Sequence, residues 1–247
     1  MIGIYTDPDR LQATMVEVRC ETDFVARNEH FIRLVSELAK KLNNDQTLLN
    51  HQQQSNNVEK ICITDENRLK EIGGDLVMNT IQKLGENIRF VRGCLMRISN
   101  GNQSSNMIRL LPYAHAVAGK IESNDPEIVL GKYGTIVAVT QSTPKSNTVV
   151  NEDEEMDQTQ VSKNIDELGS RLGQHIIGLS PKTVKPLEST EDPKQPSNEE
   201  QITGDEEPEA LLKQKFIFNE DITVEQFLRN SDANVLDFIR IECGEEQ

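Results

Sequence analysis

Large aromatic side chains and long apolar runs are scarce in this sequence. Tryptophan is absent, aromatic residues make up 4% of the chain, and hydrophobic residues make up 36%. That apolar content is low for one compact core of 247 residues, so one large or two small domains are expected. No apolar run approaches the roughly 20 residues that a membrane-spanning helix needs. We therefore predict no membrane partner.

Cysteine spacing of the metal-binding kind is also missing. The four cysteines, Cys20, Cys62, Cys94 and Cys243, lie far apart and form no CxxC pair. A zinc site needs closely spaced ligands, and a disulfide scaffold needs a short, cysteine-dense chain. The sequence therefore predicts no metal site, and its thiols are expected to be buried and reduced.

Positively charged residues are fewer than negatively charged ones. The chain holds 26 Lys and Arg against 41 Asp and Glu, which gives a net charge of −15. Contacts to nucleic-acid phosphates need clustered basic residues, so direct binding of nucleic acid is not expected. Much of the acidity lies in residues 151–209, where 16 acidic residues face 5 basic ones. A basic protein partner fits this balance better.

Catalytic and nucleotide-binding motifs are absent as well. The chain contains no GxxxxGK[ST], GxGxxG, HExxH or GxSxG sequence. The four histidines, His30, His51, His115 and His175, show no ligand spacing. The residues alone therefore indicate a soluble interaction protein that is not an enzyme and needs no cofactor.

Alternation and helical spacing predict the secondary structure. Val16, Val18 and Cys20 alternate with polar residues, which indicates a half-buried strand. Residues 1–20 as a whole are predicted to form a hairpin. Further strands are predicted at 88–98, 107–117, 133–140 and 238–243, and helices near 69–84 and 161–176. The sum is an α+β fold of two small subdomains, each an antiparallel sheet flanked by helices.

Capping residues and polar segments set the predicted boundaries. Gly85 fits the residue that ends a helix, and Thr223 to Gln226 fits a capping box. Residues 43–58 are predicted to be a polar loop, and acidic loops are expected near 143–158 and 182–209.

The stretch CETDFVARNE, at residues 20–29, indicates the start of a helix. Thr22 suits the N-cap and Asp23 the first turn, ahead of the apolar stripe Phe31, Leu34, Val35, Leu38 and Leu42. Phe24 lies seven residues before Phe31, so spacing alone favours a core position. Its place in the first turn also allows it to project beyond the helix end.

The same stretch carries a resemblance to a known family. The sequence TDFVARN, at Thr22 to Asn28, resembles the central signature of elongation factor Ts, the guanine-nucleotide exchange factor for elongation factor Tu. Further similar segments follow in order: LGENI at 84–88, YAH at 113–115, IVLGKYG at 128–134, RLGQH at 171–175, residues 211–228 and ECGE at 242–245. Several of them resemble the animal mitochondrial branch.

The resemblance implies a fold and a mechanism. It implies two α+β subdomains, placed here at 1–106 and 107–247. It also implies that the chain wedges into its partner and disturbs the groups that hold Mg²⁺, which weakens GDP binding. Factor and GDP then lower each other's affinity by the same factor. A mitochondrial location is implied as well.

The resemblance also implies which residues contact the partner. Asp23 and Phe24 would form the wedge, Leu84 and Gly85 would make contacts at a helix end, and His115 would help displace the phosphate loop. For four of these residues there is a structural alternative: core packing for Phe24 and Leu84, a helix-dipole acid for Asp23, and a helix stop for Gly85.

Departures from the family pattern leave a second function open. Ala116 stands where the family's glycine follows the histidine, and residues 118–127 are an insertion relative to bacterial forms. The family's N-terminal helical domain and a transit peptide are not found in this sequence. The alternative is therefore a module that binds elongation factor Tu without catalysing exchange.

Overall fold

The computed structural model describes residues 1–49, 57–99, 106–115, 125–142, 158–186 and 209–245. The strands are β1 (Ile2–Thr6), β2 (Gln12–Cys20), β3 (Val58–Ile63), β4 (Ile88–Ile98), β5 (Asn106–His115), β6 (Ile128–Gly131), β7 (Tyr133–Ser142), β8 (Lys215–Phe216), β9 (Asn219–Thr223) and β10 (Ala233–Glu242). The α-helices are α1 (Asp23–Ala26), α2 (Glu29–Asn43), α3 (Gln46–Leu49), α4 (Glu66–Leu84), α5 (Gln158–Leu179) and α6 (Val224–Asn230). A 3-10 turn covers Leu211–Lys213.

The described strands build two antiparallel sheets and a small hairpin. The first sheet has five strands in the order β3-β4-β2-β1-β6, and the second has three in the order β10-β7-β5. Strands β8 and β9 form the hairpin. Helices α2 and α4 pack on the first sheet and α5 on the second. This confirms the predicted α+β class.

Three apolar cores hold these layers together. One lies between the first sheet and its helices and includes the predicted stripe from Phe31 to Leu42, which is fully buried as expected. A second lies between α5, α6 and the second sheet. The third lies between the two sheets, with Ile4, Met15, Met96, Ile136 and Ile239 among its members. Each fully buried side chain of this size stabilises the fold by about 1.5–3 kcal/mol.

One of the connections between the two sheets consists of a single residue. Strand β6 pairs with β1 in the first sheet, and β7, which begins two residues after β6 ends, pairs with β5 and β10 in the second. Lys132 is the residue between them. The predicted subdomain division at residues 106 and 107 stays a prediction, but β6 follows that boundary and belongs to the first sheet.

Several sequence predictions need correction. The helix that begins at Asp23 is interrupted, because α1 ends at Ala26 and α2 begins at Glu29. Strands β3, β6, β8 and β9 were not expected. The acidic segments at 143–157 and 187–208, and Ala116 with most of the 118–127 insertion, lie outside the described residues.

The expectation of reduced thiols is wrong for two of the four cysteines. Cys62 of β3 lies directly opposite Cys94 of β4, with 4.1 Å between their Cα atoms, and the two form a disulfide. Cys20 and Cys243 are free. The spacing of cysteines along the chain did not reveal the pair because only the strand register brings the two residues together.

A buried histidine joins α5 to the β8–β9 hairpin. His175 is fully buried, and its Nδ1 accepts a hydrogen bond from the backbone N–H of Ile217 at 3.3 Å. Its Nε2 must therefore carry the proton that it donates to Gln214 Oε1 at 3.0 Å. Burial lowers the pKa of His175, although the Gln214 hydrogen bond opposes this shift.

This arrangement predicts an acid-sensitive contribution to stability. Because the pKa of folded His175 is lowered, its contribution is present above the ordinary value of 6.5 and is lost as the pH falls below it. We expect the free energy of unfolding to fall more between pH 7.5 and 5.5 in the parent chain than in His175→Gln, as measured by urea unfolding. An equal fall in both would show that His175 does not titrate in this way.

Candidate functional site

The predicted wedge lies on a one-turn helix that is anchored at its base. The Oγ of Thr22 accepts a hydrogen bond from the N–H of Val25 at 3.3 Å, which confirms Thr22 as the N-cap. Val25 is 7% exposed and packs in the core of the first sheet. The Asn28 side chain then caps α2 by accepting from His30 N–H at 2.9 Å. Two separately capped helices, α1 and α2, therefore begin within seven residues.

Phe24 projects from this turn into solvent. Its side chain is 89% exposed, which excludes the core position that its spacing from Phe31 favoured. Asp23, beside it in the first turn, is also exposed, and within the described residues no ion pair holds its carboxylate. The structure therefore places the Asp23 carboxylate next to the exposed Phe24 ring, on a turn that is held by its N-cap and by the buried Val25.

The end of α4 lies against the same turn. The hydroxyl of Thr22 donates to the Glu86 carboxylate at 2.8 Å. Just before Glu86, Gly85 ends α4 with a φ of +74° and donates its N–H to the carbonyl of Ile81 at 2.8 Å. A β-carbon on Gly85 would touch nothing within 4 Å, so its left-handed backbone is what favours glycine there. Leu84 is half-buried against the first core.

His115 ends β5 and is exposed. Its carbonyl accepts a hydrogen bond from Lys132 N–H at 2.8 Å, at the point where the chain changes sheets. Its Nδ1 lies 3.4 Å from the Tyr113 hydroxyl, and its ring centroid lies 6.4 Å from that of Tyr133. The hydrogen bond from Lys132 holds the backbone of His115, and its exposed imidazole lies beside the rings of Tyr113 and Tyr133.

Strand register brings these residues to one end of the molecule. Cys20, which ends β2, pairs with Ile88, which begins β4. Ile2, at the start of β1, pairs with Gly131 of β6. A β-carbon on Gly131 would lie 2.6 Å from the carbonyl oxygen of His115, so the first sheet closely approaches the end of β5 there. We call the surface formed by Asp23, Phe24, Leu84, Gly85 and His115 the end face.

A buried charge network connects β2 and β4 to the C-terminal segment. Arg92 Nε donates to Glu17 Oε2 at 2.5 Å, and the two side chains are 4% and 0% exposed. Glu17 Oε1 also accepts from Arg19 at 2.7 Å and from the N–H of Gly244 at 2.9 Å. Burial alone would raise the pKa of Glu17, but these hydrogen bonds hold it below its ordinary value. Arg19 and Arg92 also donate to the Glu245 carbonyl, which ties the C-terminal segment to the first sheet.

An apolar groove that the sequence did not reveal adjoins the end face. It lies between α4 and β4, has a volume of about 620 Å³, and is lined in part by Val77, Met78, Ile81, Ile88 and Phe90. Met78 is 55% exposed. Its three-residue spacing from Ile81 was the available signal, because residues three apart on a helix share a face.

Two findings limit the chemistry available to the described part of the chain. No group of three or more His, Cys, Asp and Glu side chains there could hold a metal ion. No helix there is long and apolar enough to cross a membrane. What the described residues do offer is an anchored aromatic ring, a carboxylate and an imidazole on one surface, which is an arrangement for contacting another macromolecule.

Comparison with known proteins identifies a family for this arrangement. The family model described as Elongation factor TS matches residues 21–209. Elongation factor Ts, mitochondrial, of Branchiostoma floridae is 35% identical, over 94% of this chain and 69% of that relative. The protein of the same name from Xenopus laevis is 31% identical over 100% of this chain and 68% of its own length. The one from Homo sapiens is 29% identical over 94% of this chain and 62% of its own length.

The charge network generates a prediction about stability. Arg92→Met leaves a buried carboxylate without its main partner, so we expect the free energy of unfolding to fall by roughly 3–5 kcal/mol in urea titrations. The double variant Glu17→Leu, Arg92→Met should lose less, because it leaves no buried charge uncompensated and the partly exposed Arg19 stays in contact with water. Since the pKa of Glu17 is lowered, its contribution is present above its ordinary value of 4.5 and is lost as the pH falls through the lowered pKa.

The matched control is an exposed ion pair. Arg33 pairs with Glu37 on α2 and is 78% exposed, so Arg33→Met should cost less than about 1 kcal/mol. If Arg92→Met costs no more than this control, the buried pair does not stabilise the fold in this way.

Proposed function

Because this chain belongs to the elongation factor Ts family, we propose that it binds elongation factor Tu and promotes the release of GDP from that partner in mitochondrial translation elongation. A role as a translation elongation factor follows from the family. The exchange activity, the mitochondrial partner and the residues that act are the proposal.

The exposure of Phe24 is the observation that carries this proposal. A phenylalanine left 89% exposed gains nothing for the fold of its own chain. If a partner buries the ring completely, the complex is stabilised by about 1.5–3 kcal/mol. Because Val25 and the Thr22–Glu86 hydrogen bond already hold the turn in place, little backbone entropy is lost on binding, and the main entropic cost is that of ordering the Phe24 side chain.

In the proposed mechanism, the end face acts on the partner and leaves the nucleotide untouched. Phe24 enters the guanine-nucleotide domain of elongation factor Tu, and Asp23 brings a negative charge beside it. Mg²⁺ is held between phosphate and protein oxygens, so displacing protein groups around it weakens the grip on GDP. No covalent bond is made or broken, and this chain needs no cofactor or metal of its own.

Leu84, Gly85 and His115 are proposed to complete the contact. Leu84 and Gly85 end α4 beside the Phe24 turn, to which Glu86 links them. His115 presents an exposed imidazole at the end of β5 in the second sheet. Contacts from both sheets would orient the wedge, so that its insertion strains the phosphate-binding region of the partner instead of only covering its surface.

Thermodynamic linkage makes the effect reciprocal. If the bound chain lowers the affinity of elongation factor Tu for GDP by some factor, GDP lowers the affinity for the chain by the same factor. Linkage therefore lets the chain weaken nucleotide binding without consuming energy, and new nucleotide in turn weakens binding of the chain.

The main prediction concerns Phe24. We expect this chain to accelerate release of a fluorescent GDP analogue from mitochondrial elongation factor Tu, and Phe24→Ala to reduce that acceleration by roughly 30-fold, the effect of a 2 kcal/mol interface hot spot. Its thermal midpoint should not change, because the ring makes no core contact. Met107→Ala is the control, because Met107 is 47% exposed at the opposite end of β5 from His115.

The possible outcomes distinguish exchange that uses Phe24 from exchange without it and from binding alone. Full acceleration by Phe24→Ala would keep the exchange function but remove Phe24 from it. A folded parent chain that binds elongation factor Tu without accelerating GDP release would contradict exchange and leave a binding module.

His115 provides a second, weaker prediction. Because it adds one oriented contact without a buried aromatic surface, His115→Ala should slow GDP release by about 3- to 10-fold, within the range of ordinary interface residues. Asn234→Ala is the control, since Asn234 is exposed at the far end of the second sheet, where it pairs with Thr140. An equal effect of both substitutions would argue against a specific role for His115.

A further inference from the structure

The Cys62–Cys94 disulfide has two sulfurs in very different surroundings. Cys62 is exposed on β3, which is the edge strand of the first sheet. Cys94 is 2% exposed and belongs to the core between the two sheets. A thiol from solution can therefore approach the Cys62 sulfur, whereas the Cys94 sulfur is shielded by packed apolar side chains.

We infer that this disulfide is a reversible redox site, which dithiols reduce by attack on Cys62. Exposed disulfides are more labile than buried ones and are often regulatory. Stable disulfides are typical of oxidising compartments, whereas those in compartments that keep thiols reduced are usually transient. The assignment of this pair to the second group rests on the mitochondrial function proposed above, for which the names of the relatives are the support.

The reduction balances as a thiol–disulfide exchange. A thiolate of the dithiol attacks the Cys62 sulfur, the bond between the two cysteines breaks, and Cys94 leaves with the electron pair and takes up a proton. The second thiol of the reductant then attacks its own sulfur in the mixed disulfide and releases Cys62. Two electrons and two protons pass to the protein, and the dithiol becomes a disulfide.

Contacts other than the disulfide keep the two thiols together after reduction. Strand β3 pairs with β4 over the whole stretch from Val58 to Ile63. Lys60 also donates to Asp237 Oδ1 at 2.7 Å, which ties β3 to the second sheet. Because Cys62 and Cys94 stay directly opposite each other in the ladder, an oxidant such as glutathione disulfide can close the bond again.

The redox state should change the thermal stability of the protein, through the loop that the disulfide closes. The two cysteines are 32 residues apart, and the loop that they close contains all of α4 with Leu84 and Gly85. Opening the loop restores conformational freedom to the unfolded chain, so the thermal midpoint should fall by roughly 7–15 °C on reduction.

Counting free thiols tests the inference directly. The full chain is purified without reductant and alkylated with N-ethylmaleimide in denaturant, and its adducts are counted by intact mass. Two adducts are expected, at Cys20 and Cys243. After the native protein is treated with a dithiol such as dithiothreitol, four are expected, and the count should return to two when glutathione disulfide replaces the dithiol.

Single substitutions identify the sulfur that is attacked. Cys94→Ser leaves Cys62 as a free exposed thiol, and Cys62→Ser leaves Cys94 as a buried one. We expect native Cys94→Ser to form a mixed disulfide with glutathione disulfide at least about tenfold faster at Cys62 than native Cys62→Ser does at Cys94, because access controls such reactions. The double variant Cys20→Ser, Cys243→Ser should switch between zero adducts and two, which assigns the change to this pair.

Three results would overturn the inference. Four adducts that persist after treatment with glutathione disulfide would show that no pair forms. Two adducts that persist until the protein is unfolded would show a permanent crosslink. Equal rates in the two single variants would show that exposure of Cys62 does not direct the attack.

Discussion

Apolar packing between the two sheets is the constraint on which the arrangement depends. Side chains from β1, β2 and β4 meet those of β5, β7 and β10 in one shared core, and Lys132 is the only residue between β6 of one sheet and β7 of the other. Strand register brings the end of β2 and the start of β4 together, and this packing brings the end of β5 to the same end of the molecule. Without it, Phe24 and His115 would belong to separate surfaces.

The end face also shows how a chain can expose a large aromatic ring without losing order. Val25, next to Phe24, is buried, and Thr22 both caps the turn and contacts Glu86. Behind this support, Glu17 and Arg92 form a buried pair that also holds the C-terminal segment. The backbone turn that carries the ring is therefore held in place, so insertion of the ring costs less backbone entropy than insertion of a flexible loop would.

Local signals in the sequence predicted much of this fold. The Thr22 cap, the stripe from Phe31 to Leu42, the strand from Ile88 to Ile98 and the capping box at Thr223 all depend on neighbouring residues, and all are present. Neighbouring residues alone did not decide whether Phe24 is buried or exposed, because its spacing from Phe31 fits one continuous helix. The break at Arg27 and Asn28 decides it, and the N-cap preference of asparagine was the overlooked signal. The disulfide, the crossing at Lys132 and the groove beside α4 depend on strand register and tertiary packing, which one sequence does not reveal.

The central claim is that binding of the end face to elongation factor Tu weakens the binding of GDP to that protein, and the reverse. Thermodynamic linkage between the two affinities gives the most direct test. Calorimetric titration would measure the affinity of this chain for mitochondrial elongation factor Tu without nucleotide and at saturating GDP with Mg²⁺, and the affinity of GDP with and without the chain. The account predicts that both affinities fall, and by the same factor. An affinity for the chain that is unchanged by saturating GDP would contradict it.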